Sequence, residues 1–338
     1  MTPFWTRLAA AAAIASLAGT AVAQECADTQ IRLSYGSPIA SDWTKWVEAF
    51  KAEVEDKSEG RISIRAYSDR QLFSGSPKAE IDGVLDGIAD ATLTSTLLVA
   101  LFLDNRFDLI NMPFLVPSHE VAARVVDGEI GTIMEGWARE KGLEPIGWGV
   151  NGFRQLTNKS KKVKTPADMK GMKIRVAGSK LFIRAVGLLG ADPITMSFSE
   201  LYPALQQGVV EGQENPLSEI ETSSFYNVQD YVAIWNYVYD PLILLMNEAT
   251  FAGMCEGDQQ ILRDAAVVAR DTQRAIAVEA DKTMPELLRT ERGMTVTPFE
   301  EVDFEAFREI VYPTIRKEWA PIVGEENLEK LEAAVAAE

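Results

Sequence analysis

Apolar positions along the chain alternate between strand and helix spacing. Ile31 to Tyr35 reads as a strand, and Gly36-Ser37-Pro38 turns it toward a helix. Trp43, Trp46, Val47, Phe50 and Val54 share one face of that helix, which Gly60 stops. Ile62, Ile64 and Ala66 alternate along a second strand, followed by a loop over 68–77 and a helix with Ile81, Val84, Leu85 and Ile88 inward. Ala89 to Thr94 is strand-like and runs into the hydroxyl cluster Thr94, Ser95 and Thr96. One long amphipathic helix is predicted from Ser118, with Val121, Val125, Ile133 and Trp137 inward and Gly142 as its end. Leu143 to Val150 is the next apolar strand.

The stretch from Thr165 to Pro216 repeats this alternation. Thr165-Pro166-Ala167-Asp168 carries helix-start signals, and Met172 to Val176 reads as a short strand. Ser197-Phe198-Ser199-Glu200 is a capping box, so a helix is predicted there, bent but not broken by Pro203. Val209 to Asn215 reads as a strand that Pro216 stops. Ile234 to Met246 is a long apolar run interrupted by Asp240-Pro241. A helix from about Gly257 to Thr290, a strand at Met294 to Thr297 and further helices complete the chain. The class is α/β, with mixed sheets flanked by helices. Crossings near Asn151 and Asp240 divide it into 24–151 plus about 241–280, and 152–240 plus about 281–338.

The first 23 residues change the compartment. Arg7, the apolar stretch Leu8 to Leu17 and Ala21-Val22-Ala23 form a secretory signal with cleavage at about Ala23, too short to span a bilayer. Ala23-Gln24-Glu25 before Cys26 lacks lipobox residues, which favours a soluble periplasmic protein over a lipoprotein. Export into an oxidising compartment favours a disulfide between Cys26 and Cys255, the only pair available. With two cysteines and one histidine, a zinc site is not expected. His119-Glu120 begins an H-E-x-x-H pattern that Ala123 ends.

Formal charge is −17, and −18 once the signal and its Arg7 are removed. That balance argues against nucleic acid and anionic membranes as partners. Any anion site must then be a local basic exception. Arg175, within an otherwise apolar strand, is the best candidate. Its planar fork matches a carboxylate, and burying it without an anionic partner would be costly. A salt bridge to one of the chain's many acids is the competing explanation.

The middle of the chain resembles the solute-binding proteins of tripartite ATP-independent periplasmic (TRAP) transporters, the DctP-type family. The residues carrying the likeness are Gly152-Phe153-Arg154-Gln155-Leu156-Thr157-Asn158, Pro166 to Arg175, Phe198 to Gly208 and Glu211 to Pro216. Glu211 stands where the family has aspartate, and Pro203 where it has threonine. The resemblance implies a two-domain periplasmic-binding-protein clamp of type II-like form. It implies Arg175 as the carboxylate-binding arginine, Arg154 as a second cation or inter-domain clamp, Asn215 as an amide donor and Phe198 packing beside the ligand. Tyr237 takes a position often held by histidine, and Phe73 replaces a glycine. Ser95 falls where sialic acid-binding relatives carry an acid, which argues against that substrate. Contact by Ser37, Asp42, Trp43, Ser76, Ser95 and Tyr237 is expected from the first domain and the second crossing.

The function implied is capture of a small organic acid and its delivery to TRAP membrane permease subunits, without cofactor, metal or catalysis, and with a monomer as default. Dicarboxylates, sugar acids, hydroxy or oxo acids, aromatic acids and sulfonates all stay open. A sensory module binding the same ligand is the alternative. An exported enzyme is disfavoured by the absence of G-x-S-x-G, Walker A and G-x-G-x-x-G patterns.

Overall fold

The computed structural model describes residues 26–337, so the expected secretory signal and its expected cleavage site lie outside the described residues. The first part of the chain forms β1 (Thr29–Tyr35), α1 (Asp42–Lys57), β2 (Ile62–Tyr67), α2 (Pro77–Leu85), β3 (Ala91–Ser95) and α3 (Thr96–Phe102). Then come α4 (His119–Val126), α5 (Glu129–Arg139) and the long β4 (Leu143–Asn158). The middle supplies β5 (Lys173–Val176), α6 (Lys180–Leu188), β6 (Asp192–Thr195), α7 (Phe198–Gln206), β7 (Gly212–Pro216) and α8 (Leu217–Thr222). The last third holds β8 (Tyr231–Ala233), β9 (Tyr239–Asn247), α9 (Glu248–Ala252), α10 (Glu256–Thr290), β10 (Thr295–Thr297), α11 (Phe304–Val323) and α12 (Glu325–Ala336).

The main strands run in the order β2-β1-β3-β9-β4-β7-β5-β6, with β8 and β10 attached beside β4. β4 belongs to both halves. Its residues from Leu143 to Phe153 pair antiparallel with β9, and those from Arg154 to Asn158 pair with β7. The register slips between Val150 and Gly152, where the strand leaves one lobe for the other. Extra residues at such a slip bend and twist a strand. One apolar cluster lies under α1 and α10 (Trp46, Phe50, Leu262, Ala266), and another around α7 and α8 (Leu201, Ile220, Phe225, Leu288). A third, including Phe107, Phe114, Trp235 and Phe307, spans both lobes.

α10 holds the two lobes in one frame, with Leu262 in the first lobe's core and Leu288 in the second's. It lies so close to β4 that a Cβ on Gly147 would sit 2.5 Å from the Ala266 Cβ. Gln273 then pins the helix at the register slip: its Oε1 accepts from the Val150 N–H, and its Nε2 donates to the Val150 carbonyl, both at 2.8 Å. Cys26 and Cys255 are disulfide-bonded, tying the start of the described chain to the N-cap of α10.

Several elements differ from the sequence expectation. The helix from Ser118 is two helices, because Gly128 is extended (φ −104°, ψ −152°) and caps α5. A side chain there would meet the Arg124 carbonyl at 2.7 Å. The strand from Leu143 continues eight residues past Val150 to Asn158, so the first crossing is made by strand. Thr165 caps only a short 3-10 turn. Val209 is half exposed and lies outside β7. As expected, by contrast, α7 persists through Pro203. The boundary expected near residue 280 falls inside the continuous α10, and α12 packs on α4 and α5 of the first lobe.

Candidate functional site

A cavity of about 400 Å³ lies at the junction of the lobes, lined from both sides. That volume falls at the lower end of the range for small-molecule sites. The first lobe contributes the turn after β1, the start of α1 and the β3–α3 corner. Trp43 stands in the first turn of α1 and donates Nε1–H to Asn151 Oδ1 at 2.9 Å. Ser95 caps α3, accepting from the Leu97 N–H, and donates its hydroxyl to Asp240 at 2.5 Å.

The second lobe contributes the ends of β5 and β7. Parallel pairing sets Arg175 opposite Gln213, two residues before Asn215. Arg175 is only 3% exposed, and its Nε and Nη2 donate to the Met196 carbonyl at 3.2 and 2.9 Å. Among the described residues, no acid forms a salt bridge with it. Burial pushes its pKa down to about 10; Glu214 opposes the shift and Arg154 adds to it. At neutral pH the group remains a cation, and an anion in the cavity would relieve that burial cost.

Arg154 is a different kind of arginine. It is equally buried but fully paired: Nε and Nη2 reach the Glu214 carboxylate, Nη1 donates to Asp240 at 2.9 Å, and Nη2 also donates to Asn215 Oδ1 at 2.9 Å. Burial works to lower its pKa, but Glu214 and Asp240 outweigh this and hold it above the ordinary value. Burial raises Glu214, with Arg154 opposing. Asp240 also accepts from Asn151 Nδ2 at 2.8 Å. The network Trp43–Asn151–Asp240–Arg154–Glu214 therefore stitches α1, both crossings and β7 together. Asn215 is committed to it, because its Nδ2 donates to Gln213 at 2.5 Å.

Trp43, Ser95, Arg154, Arg175, Phe198 and Asn215 thus meet at one cavity. Phe198 is half buried, edge-on to Phe225 at 5.9 Å. Ser37 also lines the cavity, as expected; Asp42 does not. Two other expected contacts lie elsewhere. Tyr237 is fully buried beneath the site, its ring 4.9 Å from Trp235 and 5.3 Å from both Phe114 and Phe182. Ser76 caps α2 by accepting from the Ala79 N–H, while its neighbours Gly75 and Pro77 line the cavity. In the histidine's place, Tyr237 adds aromatic packing rather than a polar group at the wall.

Sequence reasoning missed Arg70, Glu219 and the role of Asp240. Arg70 sits in a left-handed turn (φ 51°) and pairs with buried Glu80 at 2.8 Å. No periodicity announces such a position. Glu219, in the first turn of α8, accepts from the Ser37 hydroxyl at 2.6 Å across the cleft, and burial pushes its pKa up to about 7. Asp240-Pro241 was visible as a break in an apolar run, and an acid within such a run is the signal that could have found it.

A sequence model of the bacterial extracellular solute-binding proteins of family 7 matches residues 34–321. A solute-binding protein of Roseobacter denitrificans is 33% identical over 325 residues, covering 94% of this chain and 95% of its own. Two TRAP periplasmic solute-binding proteins of known structure share the fold. That of Ralstonia eutropha, with bound (S)-2-acetolactate, is 32% identical with a TM-score of 0.84, covering 91% of this chain and 98% of its own. That of a Polaromonas species, bound to D-erythronate, is 31% identical with a TM-score of 0.85, covering 92% and 100%.

Proposed function

Because the chain belongs to family 7 of the bacterial extracellular solute-binding proteins, we propose that it captures a small organic acid between its lobes, with Arg175 as the carboxylate's partner. TRAP solute-binding proteins bind small organic acids and deliver them to membrane permeases, and this chain takes that role. The observation that carries the site is Arg175 itself, a buried cation facing a cavity with only a backbone carbonyl as acceptor. A carboxylate there forms charge-assisted hydrogen bonds that strengthen when water is excluded. Arg154, whose charge Glu214 and Asp240 already engage, positions the crossings and is the inter-domain clamp. The acids bound by the Ralstonia and Polaromonas proteins both carry a carboxylate, which supports the reading.

The lobes are residues 26–151 with β9 and the first part of α10, and residues 152–240 with the rest of α10. They close about β4 and β9. The mature protein begins at about Gln24 in the periplasm and acts as a monomer. The test is calorimetric titration with organic acids, on protein unfolded and refolded to strip bound ligand. Arg175→Ala should weaken binding about 30-fold to several-thousand-fold, equivalent to roughly 2–5 kcal/mol. Arg175→Lys should recover part, since a point charge lacks the bidentate fork. A folded Arg175→Ala protein binding within threefold of wild type would refute the assignment.

A further inference from the structure

The cavity's charge balance and wall chemistry narrow the ligand further. Resting on the reading of Arg175 as the carboxylate partner, we infer that the ligand is a monocarboxylate with a largely apolar body. One hydrogen-bonding group on that body meets Ser37 and Glu219. Dicarboxylates and polyhydroxylated sugar acids are then discriminated against.

The charges come first. Arg70 is neutralised by Glu80, and Arg154 faces two acids, Glu214 and Asp240. Glu80, Glu214 and Asp240 thus already offset the charge of three guanidinium groups before any ligand enters, and Glu219 is a further acid on the cavity. Among the described residues, Arg175 is the one guanidinium at the wall without a bonded acid, and one ligand carboxylate takes it. A second would meet Glu219 or Asp240, both buried acids on the same cavity. Like charges inside a water-poor site repel far more strongly than in bulk water.

Polar groups on the wall give the second argument, because most are already spent. The Ser95 hydroxyl donates to Asp240, and both ends of the Asn151 and Asn215 amides are engaged. Extra ligand hydroxyls would have to break these bonds or lose their water without replacement, and both carry a cost. Glu219 differs. It is 5% exposed, bridges the cleft to Ser37 through one oxygen and lines the cavity. Burial raises its carboxyl pKa to about 7, so the ionised form can accept from a ligand hydroxyl and the protonated form can donate to a ligand oxo group.

Third is the apolar remainder. The α3 face presents Leu98, Leu101 and Phe102, and the opposite lobe presents Ala177, Met196 and Phe198. Leu101 already reaches across toward Gly178, where a Cβ would lie 3.7 Å from its Cδ2. Such walls reward an aliphatic or aromatic body, and do so more as the lobes close.

The experiment titrates refolded full-length mature protein with four probes: 4-methyl-2-oxopentanoate, 4-hydroxybenzoate, succinate and D-gluconate. At least one of the first two should bind tenfold or more tighter than both succinate and gluconate. Glu219→Gln should shrink the gap to succinate at least fivefold by removing the charge and keeping the shape. If succinate or gluconate binds as well as the apolar monoacids, the inference is overturned while the carboxylate reading stands. An unchanged gap in a folded Glu219→Gln protein overturns the part assigned to that residue. If none of the four binds, the inference falls; whether the carboxylate reading survives is then judged by the Arg175→Ala comparison with whichever acid does bind.

Discussion

Replacing Arg154 with methionine tests the crossing network most directly. The side chain is 3% exposed, and its partners Glu214 and Asp240 are fully buried. Methionine keeps much of the volume and removes the charge, so the cost lies with the acids left behind. Asp240 retains donors from Ser95 and Asn151, whereas both Glu214 oxygens lose the guanidinium. Removing one member of a buried ion pair typically costs about 3–5 kcal/mol. At about 2 °C per kcal/mol for a protein of this size, the thermal midpoint should fall by roughly 6–10 °C.

The acidity dependence has a definite sign. Burial already raises Glu214, and Arg154 opposes that rise; without the arginine, the folded carboxyl lies still further above its unfolded value. A carboxyl raised on folding destabilises above its folded pKa, and the penalty fades as pH falls toward the unfolded value. The variant's deficit should therefore be largest near pH 8 and shrink toward pH 5. Arg154→Met with Glu214→Gln should recover at least half of it. Denaturant and thermal unfolding between pH 5 and 8 decide the matter. A single-variant deficit below about 1 kcal/mol, or one that grows on acidification, would refute the argument.

Other expectations follow from the same geometry. Glu219→Gln should gain stability over wild type as pH rises. Wild type loses up to roughly 3 kcal/mol between pH 4.5 and above 7 as a carboxyl raised from 4.5 to about 7 ionises in the folded protein; a pH-independent difference would contradict this. Cys255→Ser, which opens the Cys26–Cys255 bond, should cost about 2–5 kcal/mol, read from denaturation midpoints; a change below about 0.5 kcal/mol would remove the staple from the account. Binding of an acid should lower the radius of gyration measured by X-ray scattering, and tight binding with unchanged scattering would mean a cavity closed beforehand.

Local patterns determined much of this protein. Strand and helix periods placed β1, α1, β2 and β3 within a few residues, because each buries one face and its neighbours fix the period. Ser118 and the Ser197–Glu200 box sit at helix starts, since capping is settled within four residues. Export and a single pair of cysteines sufficed for the disulfide. Arg175 stood out because an arginine in an apolar strand demands an explanation.

Tertiary structure decided the rest. Whether an arginine is a ligand partner or a clamp depends on which acids come within bonding distance, and those lie far along the chain: Glu214 is 60 residues from Arg154 and Asp240 is 86. Nothing local separates Arg154 from Arg175, yet one is saturated and the other pairs only with a carbonyl. Tyr237 turned inward because the rings of Phe114, Phe182 and Trp235 converge on it. Glu219 became part of the cavity only when α8 met the turn after β1, 182 residues away in sequence. Periodicity records which face of an element is buried; what that face meets is set by the packing of the whole chain.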